Sequence, residues 1–121
     1  MNENNVEKTF DLEERTFRFA KRVRQFVKLL PRTIGNIEDV RQLIKASGSV
    51  GANYIEANEA LSKKDFVMRI KIARKESKES AYWLRLIDPG ADDKVVSEQL
   101  ELQTESVELM KILGAIFRKS Q

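Results

Sequence analysis

Residues 41–87, RQLIKASGSVGANYIEANEALSKKDFVMRIKIARKESKESAYWLRLI, carry the pattern that decides the fold. Apolar residues recur every three or four positions on either side of a break at residues 58–61, which is the spacing of one face of an α-helix. The first of these segments is crowded with small residues and the second with charged residues. Two amphipathic segments joined by so short a break predict a helical hairpin, the central half of a four-helix bundle.

The composition limits both the fold and the chemistry. A chain of 121 residues, 41% of them hydrophobic, is expected to form one domain with one core, over residues 1–121. Without cysteine or histidine, it has no disulfides, thiolate metal sites or imidazole chemistry. No apolar run approaches the roughly 20 residues that cross a bilayer, and no signal-peptide pattern opens the sequence. We therefore expect a cytoplasmic protein that does not bind a membrane.

The helical periodicity continues outside the hairpin. We expect helices over about residues 12–30, 37–58, 63–87 and 94–118, and the first ends at Pro31 because proline disfavours the helical conformation at the residue before it. Residues that favour helix N-termini stand near each predicted start: Asp11 with Glu14, Asn36 with Asp39, Ser62 with Asp65, and Asp92 or Asp93. Four amphipathic helices with short connections predict an all-α fold, an antiparallel up-down-up-down four-helix bundle.

The small-residue segment of the second helix, residues 46–52, places two glycines in a helix interior. Gly48 and Gly51 each cost a helix up to about 1 kcal/mol relative to alanine. Something must offset this cost, and the simplest explanation is a neighbouring helix that approaches closely at this point. A kink in the second helix is the alternative.

Asn53 and Glu56 on the second helix, and Glu76 and Glu79 on the third, are spaced i, i+3. They raise the question of a metal site, because some bundle proteins hold metal ions between facing helices. A chain that folds back at residues 60–61 separates Glu56 from Glu76 by roughly 16 Å, at 1.5 Å per residue. This distance is too long for the two carboxylates to share a metal ion. We therefore predict no metal, no cofactor, no catalytic residue and no small-molecule substrate.

The same register predicts polar contacts that hold the second and third helices in place. The expected set is Gln42, Asn53, Glu56, Arg69, Glu76 and Glu79. The expected pairs are Glu56 with Arg69, Glu79 with Gln42, and Glu76 with Lys45 or a hydroxyl group of residues 46–52.

A basic centre lies between acidic ends, which the net charge of +3 conceals. Residues 15–85 carry 17 Lys and Arg against 7 Asp and Glu. Basic residues of the third helix recur near multiples of four and seven, so they share a face, and the arginines of the first helix extend it into one continuous basic surface. Such a surface is typical of binding to a phosphate backbone; an ordinary solvated bundle face is the alternative. The predicted nucleic-acid-binding residues are Arg18, Arg22, Lys71, Lys75, Lys78 and Arg85.

The third helix has two stripes of regularly spaced residues, one expected to face the core and a second on the adjacent face. The members of the second stripe are Arg69, Ile72, Glu76, Glu79, Trp83 and Leu86. Two adjacent faces of this kind predict contacts on two sides of the helix, one of them with another subunit, and Ile72, Trp83 and Leu86 are the expected interface residues. The neighbouring Tyr82 and Trp83 suggest stacking on bases, but we prefer packing in the core or at a subunit interface for Trp83.

Several short segments together resemble a known family. They are Gln42, SGSVGAN at residues 47–53, YIEA at 54–57, SKKDF at 62–66, KESKE at 75–79 and YWL at 82–84. The combination resembles the four-helix-bundle family of ribosomal-RNA intervening-sequence proteins, over about residues 11–87. The resemblance implies a bundle that assembles into a ring-shaped homopentamer. The chain is also similar to the accessory protein of diversity-generating retroelements, a basic pentamer that works with a reverse transcriptase and RNA. No catalytic residue carries over.

Two hypotheses of function follow. In the first, the protein is a non-enzymatic homo-oligomer that binds RNA or another nucleic acid through its basic surface. In the second, it is a protein–protein scaffold or accessory subunit without affinity for nucleic acid. A metal-dependent enzyme is a third class, and the absence of histidine together with the separation of the carboxylates argues against it.

Overall fold

The computed structural model describes the backbone from Glu3 to Gln121 and the side chains from Leu12 onward. Four helices make up the fold: α1 (Glu3–Val27), α2 (Ile34–Asn58), α3 (Lys63–Leu86) and α4 (Asp93–Lys119). No strand occurs in this part of the chain. Each helix packs against two others, and α1 does not contact α3 within the described residues. The fold is therefore all-α, and α1 and α3 occupy opposite corners of the bundle.

The core draws on all four helices, at the apolar positions that the periodicity marks. The largest fully buried side chains include Phe19, Phe26, Leu43, Ile70, Leu84, Leu102, Leu109 and Leu113. Burying one such side chain contributes roughly 1.5–3 kcal/mol. The start of α2 does not contribute its apolar side chains to the core. Ile37 is 45% exposed, whereas Leu43, Ala46 and Val50 are buried.

Two of the four predicted helix starts are confirmed. The Ser62 side chain accepts a hydrogen bond from the Asp65 N–H at 3.1 Å, and the Asp92 side chain accepts one from the Lys94 N–H at 2.9 Å. Each bond satisfies an N–H group that has no partner within its helix. Helices α3 and α4 therefore begin within a residue of their predicted starts.

The predicted starts of α1 and α2 are wrong. Helix α1 begins at Glu3 rather than about Leu12, so Asp11 lies inside it, and α1 ends at Val27 rather than about Leu30. Helix α2 is capped by Thr33, whose extended backbone lets its side chain accept the Asn36 N–H at 3.1 Å. Residues that favour N-caps also occur inside helices, so their presence alone does not locate a helix start.

Asn36, predicted as a cap, instead joins two loops. It is 3% exposed. Its Nδ2 donates to the Pro31 carbonyl oxygen at 2.9 Å and to the Asp88 carbonyl oxygen at 2.8 Å, and its Oδ1 accepts the Asp88 N–H at 3.0 Å. One buried amide therefore satisfies backbone groups just after α1 and just after α3, which holds the ends of both helices together.

Close packing of α1 against α2 explains Gly51. A Cβ at Gly51 would lie 2.9 Å from Oγ1 and 3.2 Å from Cβ of Thr16, a buried residue of α1. At Gly48 the corresponding Cβ would meet only the end of the Arg24 side chain, at 3.3 Å. Helix α2 is continuous through both positions. The predicted close approach is thus confirmed at Gly51, where the Thr16 side chain leaves no room for a Cβ.

Candidate nucleic-acid interface

Helix α3 presents two different surfaces, one toward each neighbouring helix. Toward α2 lies a mixed surface, which we call the α2/α3 strip: Asn53, Arg69, Ile72, Glu76, Glu79 and Trp83. Toward α4 lies a positively charged surface, which we call the α3/α4 basic surface: Lys71, Arg74, Lys75, Lys78 and Arg118. The first is anchored by a hydrogen bond from Arg69 to Asn53 Oδ1, at 3.2 Å. The second is anchored where Arg74 meets Gly114 of α4.

A shallow cavity lies on the α3/α4 basic surface. Its volume is about 430 Å³, and its lining residues are Met68, Lys71, Ile72, Arg74, Lys75 and Lys78. Met68 and Ile72 supply apolar surface among four cationic side chains. This combination provides both positive charge and a partly desolvated surface, which together strengthen the attraction of an anionic ligand.

The cations of this surface are mostly unneutralised. Among the described residues, no carboxylate lies within 4.0 Å of the charged groups of Lys71, Arg74, Lys78 or Arg118. Lys75 is the exception, because its Nζ lies 3.9 Å from Oε1 of Glu79. The Lys71 Nζ lies over the Phe117 ring, 6.0 Å from its centroid, in a cation–π contact. The positive charge therefore remains available to a ligand.

The arginines of α1 are used differently. Arg22 pairs with both Glu98 and Glu101 of α4. Arg15 makes a bidentate pair with Glu105, with both N···O distances at 2.8 Å. Arg18 pairs with Glu14 of its own helix at 3.1 Å. These carboxylates neutralise the charges that a phosphate backbone would need.

The predicted continuous surface across α1 and α3 is therefore wrong. Arg18 and Arg22 belong to a helix that does not touch α3 within the described residues, and both are ion-paired. Lys71, Lys75 and Lys78 share the α3/α4 basic surface. Arg85, exposed in the last turn of α3, stands two turns beyond Lys78 on the same helix face. The six predicted residues thus divide between two corners of the bundle.

The predicted polar contacts of the α2/α3 strip are replaced by others. Glu56 is exposed and does not pair with Arg69, which bonds to Asn53 instead. The contact of Glu79 with Gln42 is also absent, since Glu79 pairs with Lys75 and Gln42 is exposed. Asn53 lies one turn before Glu56 on the same face of α2, so Arg69 bonds to the neighbouring turn. Glu79 finds its partner one turn away on its own helix.

The Glu76 carboxyl, partly buried in the α2/α3 strip, has a displaced pKa. Burial raises the pKa of this carboxyl above its ordinary value of 4.5, and the neighbouring Glu79 raises it further, while Lys75 and Lys45 lower it. Lys45 acts through its charge alone, because no hydrogen bond joins it to Glu76. The predicted contact between Glu76 and Lys45 is therefore not formed as a hydrogen bond or an ion pair, and only the charge of Lys45 acts on Glu76.

The predicted subunit-interface residues remain accessible in the single chain. Ile72 and Trp83 are half-buried and Leu86 is 50% exposed. The Trp83 indole packs against the core and meets the exposed Tyr82 ring edge-on, with centroids 5.1 Å apart. Ile72 lies where the two surfaces of α3 meet, since it also lines the cavity on the α3/α4 basic surface, whereas Trp83 and Leu86 lie outside that cavity.

From Leu12 onward, no group of three or more acidic residues is arranged to hold a metal ion. None of the described helical segments combines the length and the apolar character that a bilayer crossing requires.

Sequence reasoning missed Arg74, Arg118 and Gly114. Arg74 stands three residues after Lys71 and four before Lys78, so its helical position already placed it on the basic face. Gly114 lies in the interior of α4, as Gly51 does in α2, and a glycine there indicates close approach of another group. Nothing in the sequence indicates that Arg118 reaches the same point from α4.

Comparison with known proteins gives the family. The model of the 23S rRNA-intervening sequence protein family matches residues 8–115. A solved structure from Bacteroides thetaiotaomicron, described as a protein of unknown function from the S23 ribosomal protein family, has 27% sequence identity and a TM-score of 0.73. The match covers 88% of this chain and 97% of that chain. Among curated proteins, no match was found. The chain therefore belongs to the 23S rRNA-intervening sequence protein family.

Proposed function

We propose that this protein is a non-enzymatic homo-oligomer that binds RNA through the α3/α4 basic surface. One observation carries the proposal: four cationic side chains of α3 surround a cavity of about 430 Å³ with apolar residues in its lining, and three of the four have no carboxylate partner among the described residues. Lysine and arginine in such an arrangement bind phosphate groups with little dependence on base sequence. The names of the family and of the similar structure both refer to ribosomal components, which supports RNA as the nucleic acid.

The residues proposed to contact phosphates are those of α3. Lys71, Lys75 and Lys78 stand around the cavity, and Arg85 extends the surface toward the end of the helix. Arg18 and Arg22 are left out, because the carboxylates beside them already occupy their guanidinium groups. Each neutralised phosphate releases a counterion, so affinity should fall steeply as salt concentration rises.

The proposal of a homo-oligomer rests on the α2/α3 strip. Half-buried apolar side chains, Ile72 and Trp83, alternate there with partly buried polar groups, and Tyr82 and Leu86 are exposed beside them. A second copy packed on this strip would cover the apolar groups and leave the adjacent basic surface open. Five copies in a ring follow from the family resemblance, and solution mass measured by light scattering tests that number.

The up-down-up-down order of the helices is part of the same proposal. It is supported by contacts whose residue numbers run in opposite directions on neighbouring helices. Thr16 and Arg24 of α1 meet Gly51 and Gly48 of α2 in that order. On α4, Gln99 donates to the Leu84 carbonyl oxygen of α3, whereas Gly114 meets Arg74.

Charge reversal tests the RNA-binding surface. We expect the K71E/K75E/K78E variant to bind a fluorescein-labelled single-stranded oligoribonucleotide at least about a hundredfold more weakly than the wild type at low salt. Its affinity should also depend less on salt, because three phosphate contacts are lost. Fluorescence anisotropy across a salt series measures both quantities.

A matched control separates a specific surface from general positive charge. The variant K21E/K28E/R32E has the same change in net charge, at exposed positions of α1 and the loop that follows. We expect it to bind RNA nearly as well as the wild type. Equal losses in both variants, or no binding by the wild type, would leave the protein–protein scaffold as the better account. The exposed Tyr82 and Leu86 favour that alternative.

A further inference from the structure

We propose that Arg74 of α3 and Arg118 of α4 form a phosphate-binding clamp over Gly114. The inference rests on the proposed function in one respect: the phosphate that it assigns to the clamp is a backbone phosphate of RNA. Neither arginine was among the residues that the sequence pattern selected, and the site exists only because two helices meet there.

The clamp lies over Gly114, a residue without a side chain. Gly114 is buried in the face of α4 that meets α3. A Cβ at this position would lie 3.4 Å from Nε and 3.7 Å from Cδ of Arg74, and 3.4 Å from Nη1 of Arg118. The side chain of Arg74 therefore lies against the backbone of α4. Arg118, one turn further along α4, reaches back to the same point, as helical side chains do.

Two guanidinium groups close to one point, without a carboxylate, create a strong local positive potential. No described carboxylate lies within 4.0 Å of either arginine. Lys71, whose Nζ lies over Phe117 of the same helix pair, adds a third positive charge. A phosphate held between the two guanidinium groups would neutralise both and accept several charge-assisted hydrogen bonds.

The arginines of α1 that face α4 differ from this pair among the described residues. Arg15 and Arg22 also face α4, and both find glutamates there. Near Gly114, α4 offers Lys111 and Arg118 on its outer face instead. Because the positions of Arg74 and Arg118 are set by the packing of two helices, less conformational entropy is lost when a ligand binds.

Exchange of both arginines for lysine tests the clamp while keeping the charge. Lysine carries the same charge but lacks the planar fork that binds two phosphate oxygens at once. We expect R74K/R118K to bind the fluorescein-labelled oligoribonucleotide about tenfold more weakly than the wild type. The matched control is R32K/R41K, at two exposed arginines near the start of α2, and its affinity should be unchanged.

A second readout does not depend on RNA. The Nε–Hε resonances of arginine, followed by NMR during titration with pyrophosphate, should shift for Arg74 and Arg118 and stay in place for Arg32 and Arg41. Shifts confined to the first pair support the clamp even if the wild type binds no oligonucleotide, in which case the RNA proposal alone fails.

Two results would overturn the clamp. One is RNA binding by the wild type and by R74K/R118K with equal affinity, which would leave the proposed function standing on the lysines of α3. The other is a pyrophosphate titration in which the four arginines respond alike or not at all.

Discussion

Helices α1 and α3 are both rich in arginine and lysine, and the cations that each helix places toward α4 differ in whether a carboxylate neutralises them. On α1, Arg15 and Arg22 pair with glutamates of α4. On α3, Lys71, Arg74 and Lys78 have no carboxylate within 4.0 Å among the described residues. The difference indicates that a basic stripe stays available to an anionic ligand only where the neighbouring helix does not supply the counter-charges.

Each of these helices also meets a buried glycine of a neighbour, with a different result. Thr16 of α1 packs against Gly51 so closely that a Cβ would lie 2.9 Å from its hydroxyl oxygen. Arg74 of α3 lies against Gly114, where a Cβ would be 3.4 Å from the Arg74 Nε. The first contact is an interior packing contact, and the second leaves a charged group at the surface.

The largest effect is expected where the ends of α1 and α3 are joined. Asn36→Ala removes the three side-chain hydrogen bonds to Pro31 and Asp88 and leaves their backbone groups without those partners. We expect a loss of about 2–3 kcal/mol in the free energy of unfolding, measured by urea denaturation. Asn58→Ala, which removes one exposed bond to Glu13, is the control and should change stability by less than about 0.5 kcal/mol. Equal effects would show that the two helix ends are not coupled through Asn36.

The two glycines should respond to alanine with opposite signs. At Gly51 the new methyl group overlaps Thr16, and we expect a loss of about 1–2 kcal/mol after the gain in helix propensity is included. At Gly114 the new methyl group makes an ordinary van der Waals contact. The higher helix propensity of alanine is then the main effect, and the free energy of unfolding should rise by about 0.5–1 kcal/mol. Thermal unfolding followed by circular dichroism measures both variants. A gain at both positions would show that α1 and α2 are less tightly packed than the distances indicate.

Reversing the charge of an arginine should change the stability of the protein differently on α1 and on α3. Arg22→Glu replaces two attractive pairs with repulsion among three carboxylates, at partly exposed positions, and should cost about 1 kcal/mol of stability at low salt. Arg74→Glu removes a like-charged neighbour of Arg118 and should leave stability unchanged or raise it by a few tenths, about 0.3 kcal/mol. Urea denaturation at low and high salt provides the test, because salt should reduce both effects. Similar losses in the two variants would contradict the contrast between the helices.

The smallest effect concerns the other surface of α3, the α2/α3 strip. Burial and Glu79 raise the pKa of Glu76 above its ordinary value, against the opposing charges of Lys75 and Lys45. A carboxyl whose pKa is higher in the folded state stabilises the fold below the unfolded pKa, and this stability is lost as pH rises through the folded pKa. Glu76→Gln should therefore be more stable than the wild type near neutral pH.

The advantage of Glu76→Gln should shrink as pH falls toward 4.5, the ordinary value for this carboxyl. Chemical denaturation at a series of pH values measures it. Glu56→Gln, at an exposed position of α2, is the control and should follow the wild type at every pH. An advantage that persists at low pH would have to arise from packing rather than from ionisation.

Much of the fold follows from local patterns. The spacing of apolar residues located all four helices and most of the core, because an amphipathic helix must place its apolar side against its neighbours. Ser62 and Asp92 were found because a cap interacts with the backbone only a few residues away. Asn36 was misread for the opposite reason. Its partners Pro31 and Asp88 include one that is distant in sequence, and no local pattern indicates such a bond.

The candidate site shows the same division. Sequence by itself determined that the protein is built of amphipathic helices, that α3 carries a basic face, and that histidine and cysteine chemistry is absent. Only the tertiary structure decided that the arginines of α1 are neutralised while Arg74 and Arg118 converge over Gly114. The physical reason is that the interaction between charges depends on their separation in space. That separation is set by which faces of the helices pack together.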